Sequence, residues 1–402
     1  MSIEDRLRDA LQATANTVDD QTHRPLPERR PRPSMLRLRL VPLGAVAGVL
    51  IILVSFLTAQ RLWDDPAERL QRTPVMPKFI FASTVDGGDT PNDSSYSLEV
   101  RESATGRLVD RYKAPKGFEF GGVAALSDNR TFYVTSELKS QKPCRTTIQR
   151  VRVSDAGKII GMEPIAGGPV AGVGSGNGGL AVTPNDTKLA YAVQDCSAER
   201  RDEASAERTR IAVVDLVTNT QREWHDSGQG DGANQLSWAA DGGHLFFVRR
   251  VEHKDSISED TEELRRIKSS VPGGAQLAGN SKLIQTVKSP SIYVSALARP
   301  DGLSVFTSTM ELQLGVGSEE PGSVPDPSRD SQGPVELLEL SAQDGRVLRQ
   351  IRLASASRLE IAAFKSDASG LYLLTSGGIV DLHKGGPARP LKGLDGVVDM
   401  DW

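Results

Sequence analysis

Two hydrophobic periodicities divide this chain. From Leu40 to Ala59 twenty residues run without one charged side chain; at a helical rise of about 1.5 Å per residue, such a run covers the roughly 30 Å of a bilayer's hydrocarbon core. Beyond Pro77 the period drops to two, that of half-buried strands, and keeps it to Trp402. The first pattern predicts a transmembrane helix over 40–59, and the second a large all-β domain over 79–402. Residues 1–39 read as an arm: Ile3, Leu7, Ala10, Leu11 and Val18 recur at helical spacing behind Ser2 and Asp5, followed by Pro25, Pro27, Pro31 and Pro33 among arginines, an extended linker. Residues 60–78 read as a stalk, in which Asp65-Pro66-Ala67-Glu68 opens a short helix that stops before Pro74.

Within the β region one turn recurs. When Asp128, Asn185, Asp241, Asp301 and Asp367 are aligned, a large apolar residue falls four positions later each time: Phe132, Leu189, Leu245, Val305 and Leu371. An aromatic residue lies beside it in every copy (Tyr133, Tyr191, Phe246, Phe306, Tyr372). Each copy is strand, tight turn, strand, and most continue into a third and fourth strand, as in Ile211–Val217 and Gln221–Trp224. A period of this length built wholly from strands predicts four-stranded units around a ring, a β-propeller. The first unit, from Phe79 and Phe81, lacks an initial strand; Val397 to Trp402 has the pattern of an initial strand, with Met400 and Trp402 on its apolar side. Joining the two closes the ring and removes an exposed edge. The count is six blades, with seven as the alternative.

The turns Thr183-Pro184-Asn185-Asp186, Ala239-Ala240-Asp241-Gly242 and Arg299-Pro300-Asp301-Gly302 resemble those of TolB-like and WD-repeat propellers. The whole arrangement, arm, span and repeats, resembles single-span membrane-anchored propeller proteins of actinobacteria. The Trp-Asp dipeptide of WD-repeats proper is missing. The resemblance implies a binding or sensing scaffold and supplies no catalytic residue, so the expectation is a chain that is not an enzyme.

Charge sets the orientation. Arg24, Arg29, Arg30, Arg32, Arg37 and Arg39 precede the span, whereas Asp64, Asp65 and Glu68 come after it, which predicts a cytosolic N-terminus and an extracytoplasmic ring. A net charge of −4 argues against nucleic acid as a partner. Long polar loops between second and third strands (85–95, 137–146, 194–209, 249–263 and 311–334) fall on one face and predict a surface for an extracytoplasmic protein or glycan. Cys144 and Cys196 fall in such loops of neighbouring units, which makes them a disulfide candidate; two unpaired thiols are the alternative. Gly44 and Gly48 form a G-x-x-x-G step through which two spans could pack as a weak homodimer.

Motifs for chemistry are sparse. Gly174 to Gly179 fits G-x-G-x-x-G by letter but is followed by a short strand, so it reads as a crossing between units with no cofactor implied. No G-x-S-x-G elbow occurs, and His225, His244, His253 and His383 lack metal spacing. The alternative to the scaffold is a hydrolase or lyase acting on carbohydrate with carboxylates drawn from different blades. A further alternative is a transmembrane regulator of anti-sigma type working through the cytosolic arm.

Overall fold

The computed structural model describes residues 76–402 apart from 87–94, 139–143, 166–167, 175–177, 195–208, 226–231, 252–259, 290, 300, 312–334, 354–364, 367–371, 376–377, 383–388, 392–393 and 395–396. Contacts divide the chain into two units, residues 1–65 and 66–402, and the described residues belong to the second. The arm, the apolar run with Gly44 and Gly48, and most of the stalk lie outside the described residues. Among the described residues no helix is long and apolar enough to cross a membrane.

The chain folds as a succession of antiparallel sheets. Sheet one holds β1 (Phe79–Asp86), β2 (Ser95–Glu102) and β3 (Leu108–Lys113). Sheet two holds β4 (Phe118–Ala125), β5 (Thr131–Leu138), β6 (Arg145–Val153) and β7 (Ile159–Pro164), with the two-residue β8 (Val170–Ala171) against β6. Sheet three comprises β9 (Val173–Gly174), β10 (Leu180–Val182), β11 (Lys188–Gln194), β12 (Thr209–Asp215) and β13 (Gln221–His225). Sheet four has β14 (Gly232–Trp238), β15 (His244–Val251), β16 (Thr261–Lys268) and β17 (Lys282–Lys288), with a short helix α1 (Leu277–Asn280) before its last strand. Sheet five has β18 (Ser291–Ala298), β19 (Ser304–Glu311), β20 (Val335–Ser341) and β21 (Val347–Leu353); sheet six has β22 (Lys365–Ser366), β23 (Tyr372–Thr375) and β24 (Gly378–Asp381). The final strand, β25 (Val397–Asp401), pairs with β1, so sheet one runs β25-β1-β2-β3. This is a propeller-like all-β architecture of sheets traversed in sequence order.

The strand period of two explains how neighbouring sheets stack. Phe79 and Phe81 point from β1 toward sheet two, packing with Phe120, Val123 and Phe132; the rings of Phe81 and Phe132 stack at 4.6 Å. The alternate residues Ile80 and Ala82 point the other way and pack with Met400, Trp402, Leu374 and Ile379 toward sheet six. Phe79, Phe81, Met400 and Trp402 therefore serve two different cores. The residues that meet Met400 and Trp402 from β1 are Ile80 and Ala82.

The recurring turn has a physical reason. Asn129, Asp186, Gly242 and Gly302 each come directly after its aligned residue and share a left-handed backbone, with φ of 50, 58, 61 and 65°, which Asn, Asp and Gly tolerate best. Each meets the preceding sheet. The Asn129 side chain accepts from the Phe79 N–H and donates to the Phe79 carbonyl, both at 2.9 Å. The Asp186 carboxylate accepts from the Ser127 hydroxyl at 3.0 Å, Gly242 lies against Thr183, and Gly302 against Ala239.

At the centre the first strands converge, and four of them (β25, β4, β14 and β18) carry a register shift midway along their length. A bulge leaves backbone groups out of the ladder, and in a region without water these need partners. Asp399 supplies one: its buried carboxylate accepts from the N–H of Val123 in sheet two (2.8 Å) and of Gly178 beside sheet three (3.3 Å). Asp401 accepts from the Ala125 N–H at 2.9 Å. Lys365, from sheet six, donates to the carbonyls of Val123 (3.2 Å) and Leu180 (3.5 Å) and lies 4.0 Å from Asp401. Burial pushes the Asp399 carboxyl up, and pushes Asp401 up to about 6, against the pull of Lys365 and the amides.

This packing has two measurable outcomes. Trp402→Ala should cost about 3–5 kcal/mol in chemical denaturation, as large core truncations do, whereas Trp402→Phe should cost far less, because the buried indole N–H finds no acceptor among the described residues; equal losses would place the Trp outside the core. Asp401 binds its proton more tightly folded than unfolded, so its contribution is greatest below the unfolded value of 3.8 and is lost as pH rises toward 6. Relative to Asp401→Asn, the wild type should lose on the order of 3 kcal/mol across that window, and a difference between the two that does not change with pH would overturn the assignment.

Candidate functional site

The connections between first and second strands and between third and fourth strands share one end of every sheet, the turn face. The other end carries the second-to-third connections, the long-loop face. The central cluster closes the middle of the ring. Its carboxylate and ammonium groups are engaged by backbone partners from two sheets, so Asp399, Asp401 and Lys365 act as a clasp and not as a site open to solvent.

A different carboxylate pair sits at the long-loop face. β4 starts and β5 ends there, and their register sets Glu119 directly opposite Glu137, so the two side chains leave the same side of the sheet with Cβ atoms about 4.5–5.5 Å apart. Both are half-buried. Glu137 takes two donors on the same oxygen: the Thr146 hydroxyl reaches Oε1 at 2.8 Å, and the Gly174 N–H reaches it from β9. Burial holds the Glu137 carboxyl above the usual range, and these two donors only partly offset it. Both contacts fall on one oxygen, and a carboxyl raised in this way holds a proton more readily than a free one.

Glu262, at the same end of sheet four, is also pushed up by burial. There the carboxylate accepts from the Tyr293 N–H at 2.6 Å, bridging to sheet five, and Arg250 stands opposite it in the ladder. Glu262 thus has a structural partner and a cation, whereas Glu137 faces another carboxylate.

The segment at Gly174 is the wall of this site. The glycine stretch crosses from sheet two to sheet three as expected, and its two ends, Gly174 and Gly178, have fixed partners; residues 175–177 lie outside the described residues. Gly174 pairs with Val193, and its N–H holds Glu137. A Cβ there would come within 3.0 Å of Glu137 Oε1. Gly178, with φ of 69°, turns its N–H to Asp399.

Cys144 precedes β6 and is not a free thiol; Cys196 lies outside the described residues, as do most of the five long loops. Sequence reasoning missed Glu119, Glu137, Asp399, Asp401 and Lys365. The available signal for the aspartates was their alternation with Met400 and Trp402 in a strand that, at the centre of a ring, has no solvent side. For Glu137 it was an acidic residue at the end of a strand, in register with another.

No family model matches the sequence, and no curated protein matches it. Solved structures do. A protein of unknown function from Bacteroides caccae is 12% identical, covers 81% of this chain and 98% of its own, and superposes with a TM-score of 0.45. An oligogalacturonate lyase in complex with manganese is 12% identical over 73% of each chain, TM-score 0.40. The tricorn protease is 11% identical, covering 79% of this chain and 30% of its own, TM-score 0.42. At these identities the likeness is one of fold. The expectation that the chain is not an enzyme is corrected here: structures it is similar to are those of a lyase and a protease, and a ring of sheets does not by itself separate a scaffold from an enzyme.

Proposed function

We propose that the chain is a carbohydrate-acting hydrolase or lyase, its described sheets forming a six-bladed propeller held outside a membrane by the apolar run Leu40–Ala59. The observation that carries this reading is Glu137: a carboxyl that burial raises above its usual range, with its Oε1 engaged by Thr146 and Gly174 and a second carboxylate, Glu119, opposite it. Glu137 is the general acid that protonates a leaving glycosidic oxygen. Glu119 is the partner: a nucleophile or base in a hydrolase, or the base that removes a ring proton in a lyase. The long loops of the same face would surround a glycan, and the disulfide between Cys144 and Cys196 would tie two of them together.

Two measurements test the reading. Incubating the full chain with a panel of neutral and uronic polysaccharides, reducing ends and unsaturated products should appear with the wild type; Glu137→Gln should lower the rate about 10²–10⁴-fold without changing the melting temperature. The wild-type rate should fall as pH rises through the raised value of Glu137. Absence of any product with the wild type, or an unaffected Glu137→Gln, would sink the assignment. Intact mass after alkylation without reductant should show neither cysteine modified; two alkylated cysteines would remove the disulfide.

A further inference from the structure

A membrane anchor does not say which side of the ring meets the lipid, and any answer rests on the reading of Leu40–Ala59 as that anchor. Nearly all the large apolar side chains left exposed among the described residues lie at the turn-face end of their sheets; Phe118 and Val173 are the exceptions. The most exposed are Val217 at 74%, Leu303 at 73% and Ile160 at 63%. Leu108, Leu283 and Val347, also exposed, stand at or beside the turn-face start of outermost strands.

Turn chemistry places the first two there. The Asp215 carboxylate accepts from the Val217 and Thr218 N–H groups at 3.0 and 2.8 Å, and the Asp301 carboxylate from the Leu303 N–H at 2.9 Å. Each acid bends back onto its own turn and throws the residue two positions on outward. In the turns of Asp128 and Asp344 that outward residue is Arg130 or Arg346. The turn face therefore presents aliphatic tips beside exposed charged groups, Arg346 among them.

The chain also reaches the ring at this face. β1 starts at Phe79 beside the Asn129 turn, and the seventeen positions between Ala59 and Pro77 extend at most about 60 Å. Exposed charges of both signs interleave there, among them Arg107 and Lys158 with Asp155 and Asp241, which suits zwitterionic headgroups better than an anionic surface. We infer that the turn face docks on the lipid, with Val217 and Leu303 entering the headgroup region and the Glu119–Glu137 mouth turned away from the membrane.

The test uses the full chain in phosphatidylcholine vesicles containing acyl-chain-brominated phosphatidylcholine. Val217→Trp and Leu303→Trp are compared with Phe118→Trp at the opposite face, after subtraction of wild-type emission. Docking requires the emission added at 217 and 303 to be blue-shifted and quenched by bromine several-fold more strongly than that added at 118. Water-like, unquenched emission from a chain that resists alkaline extraction would overturn docking while leaving the anchor intact. Blue-shifted but unquenched emission together with a dimeric chain would assign the face to a second copy and equally overturn it. If alkaline wash removes the wild type, the anchor fails; quenching that persists on mixing with vesicles would then support docking alone, and its loss would refute both.

Discussion

The ring depends on one carboxylate in a place without water. First strands that converge on an axis lose their solvent side, and bulges midway along them release backbone amides from the ladders. Those amides cannot remain unpaired at low cost. Asp399 answers one of them, at Val123, together with the Gly178 N–H beside a second sheet, and Lys365 answers carbonyls of the same two sheets from a fourth. The ammonium of Lys365 stands 4.0 Å from Asp401, so charge is balanced across the axis largely through peptide groups. The stacking of Phe81 on Phe132 and the burial of Trp402 keep the flanks tight, but it is the central clasp that lets bulged strands lie this close.

That clasp also determines where chemistry can occur. A centre filled by engaged charges leaves the two mouths of the ring. One mouth is edged by short turns whose acids are satisfied by their own amides. The other carries Glu137, whose burial, second carboxylate and glycine wall have no counterpart in the turns. The difference between Glu137 and Glu262 shows how the fold sorts two acids that burial pushes in the same direction: one is given a carboxylate and keeps an oxygen for a ligand, the other a neighbouring sheet's N–H and an arginine.

Much of the architecture was legible in the sequence, because tight turns leave short local signatures. The aligned residues Asp128, Asn185, Asp241 and Asp301 mark turns that the structure contains, and the residue after each carries the left-handed backbone. The strand at Val397 to Asp401 was likewise visible as alternation. What was not legible is what the polar phase of that alternation does. In a surface strand Asp399 and Asp401 would meet water, and the same letters at an axis meet amides of other sheets; only the closed arrangement distinguishes the cases. Lys365 was hidden for the same reason. Glu137 needed the register of β4 against β5, which shifts at the bulge between Phe120 and Val123 and so cannot be counted from the turn alone. The glycine stretch read correctly as a crossing, but its letters did not show that the N–H groups of Gly174 and Gly178 have fixed partners.

The bond from the Ser83 hydroxyl to the Asp399 carbonyl joins positions 316 apart. A chain made from its N-terminus presents β1 long before β25 exists, so sheet one spends that interval with an open edge and an unfilled apolar flank. Loop-closure entropy must be met almost in full before this pairing returns anything. The arrival of Val397–Asp401 ends the wait, and the unfinished ring is for that period the form most exposed to strand exchange with a neighbour, which makes the speed of delivery a structural variable for this protein.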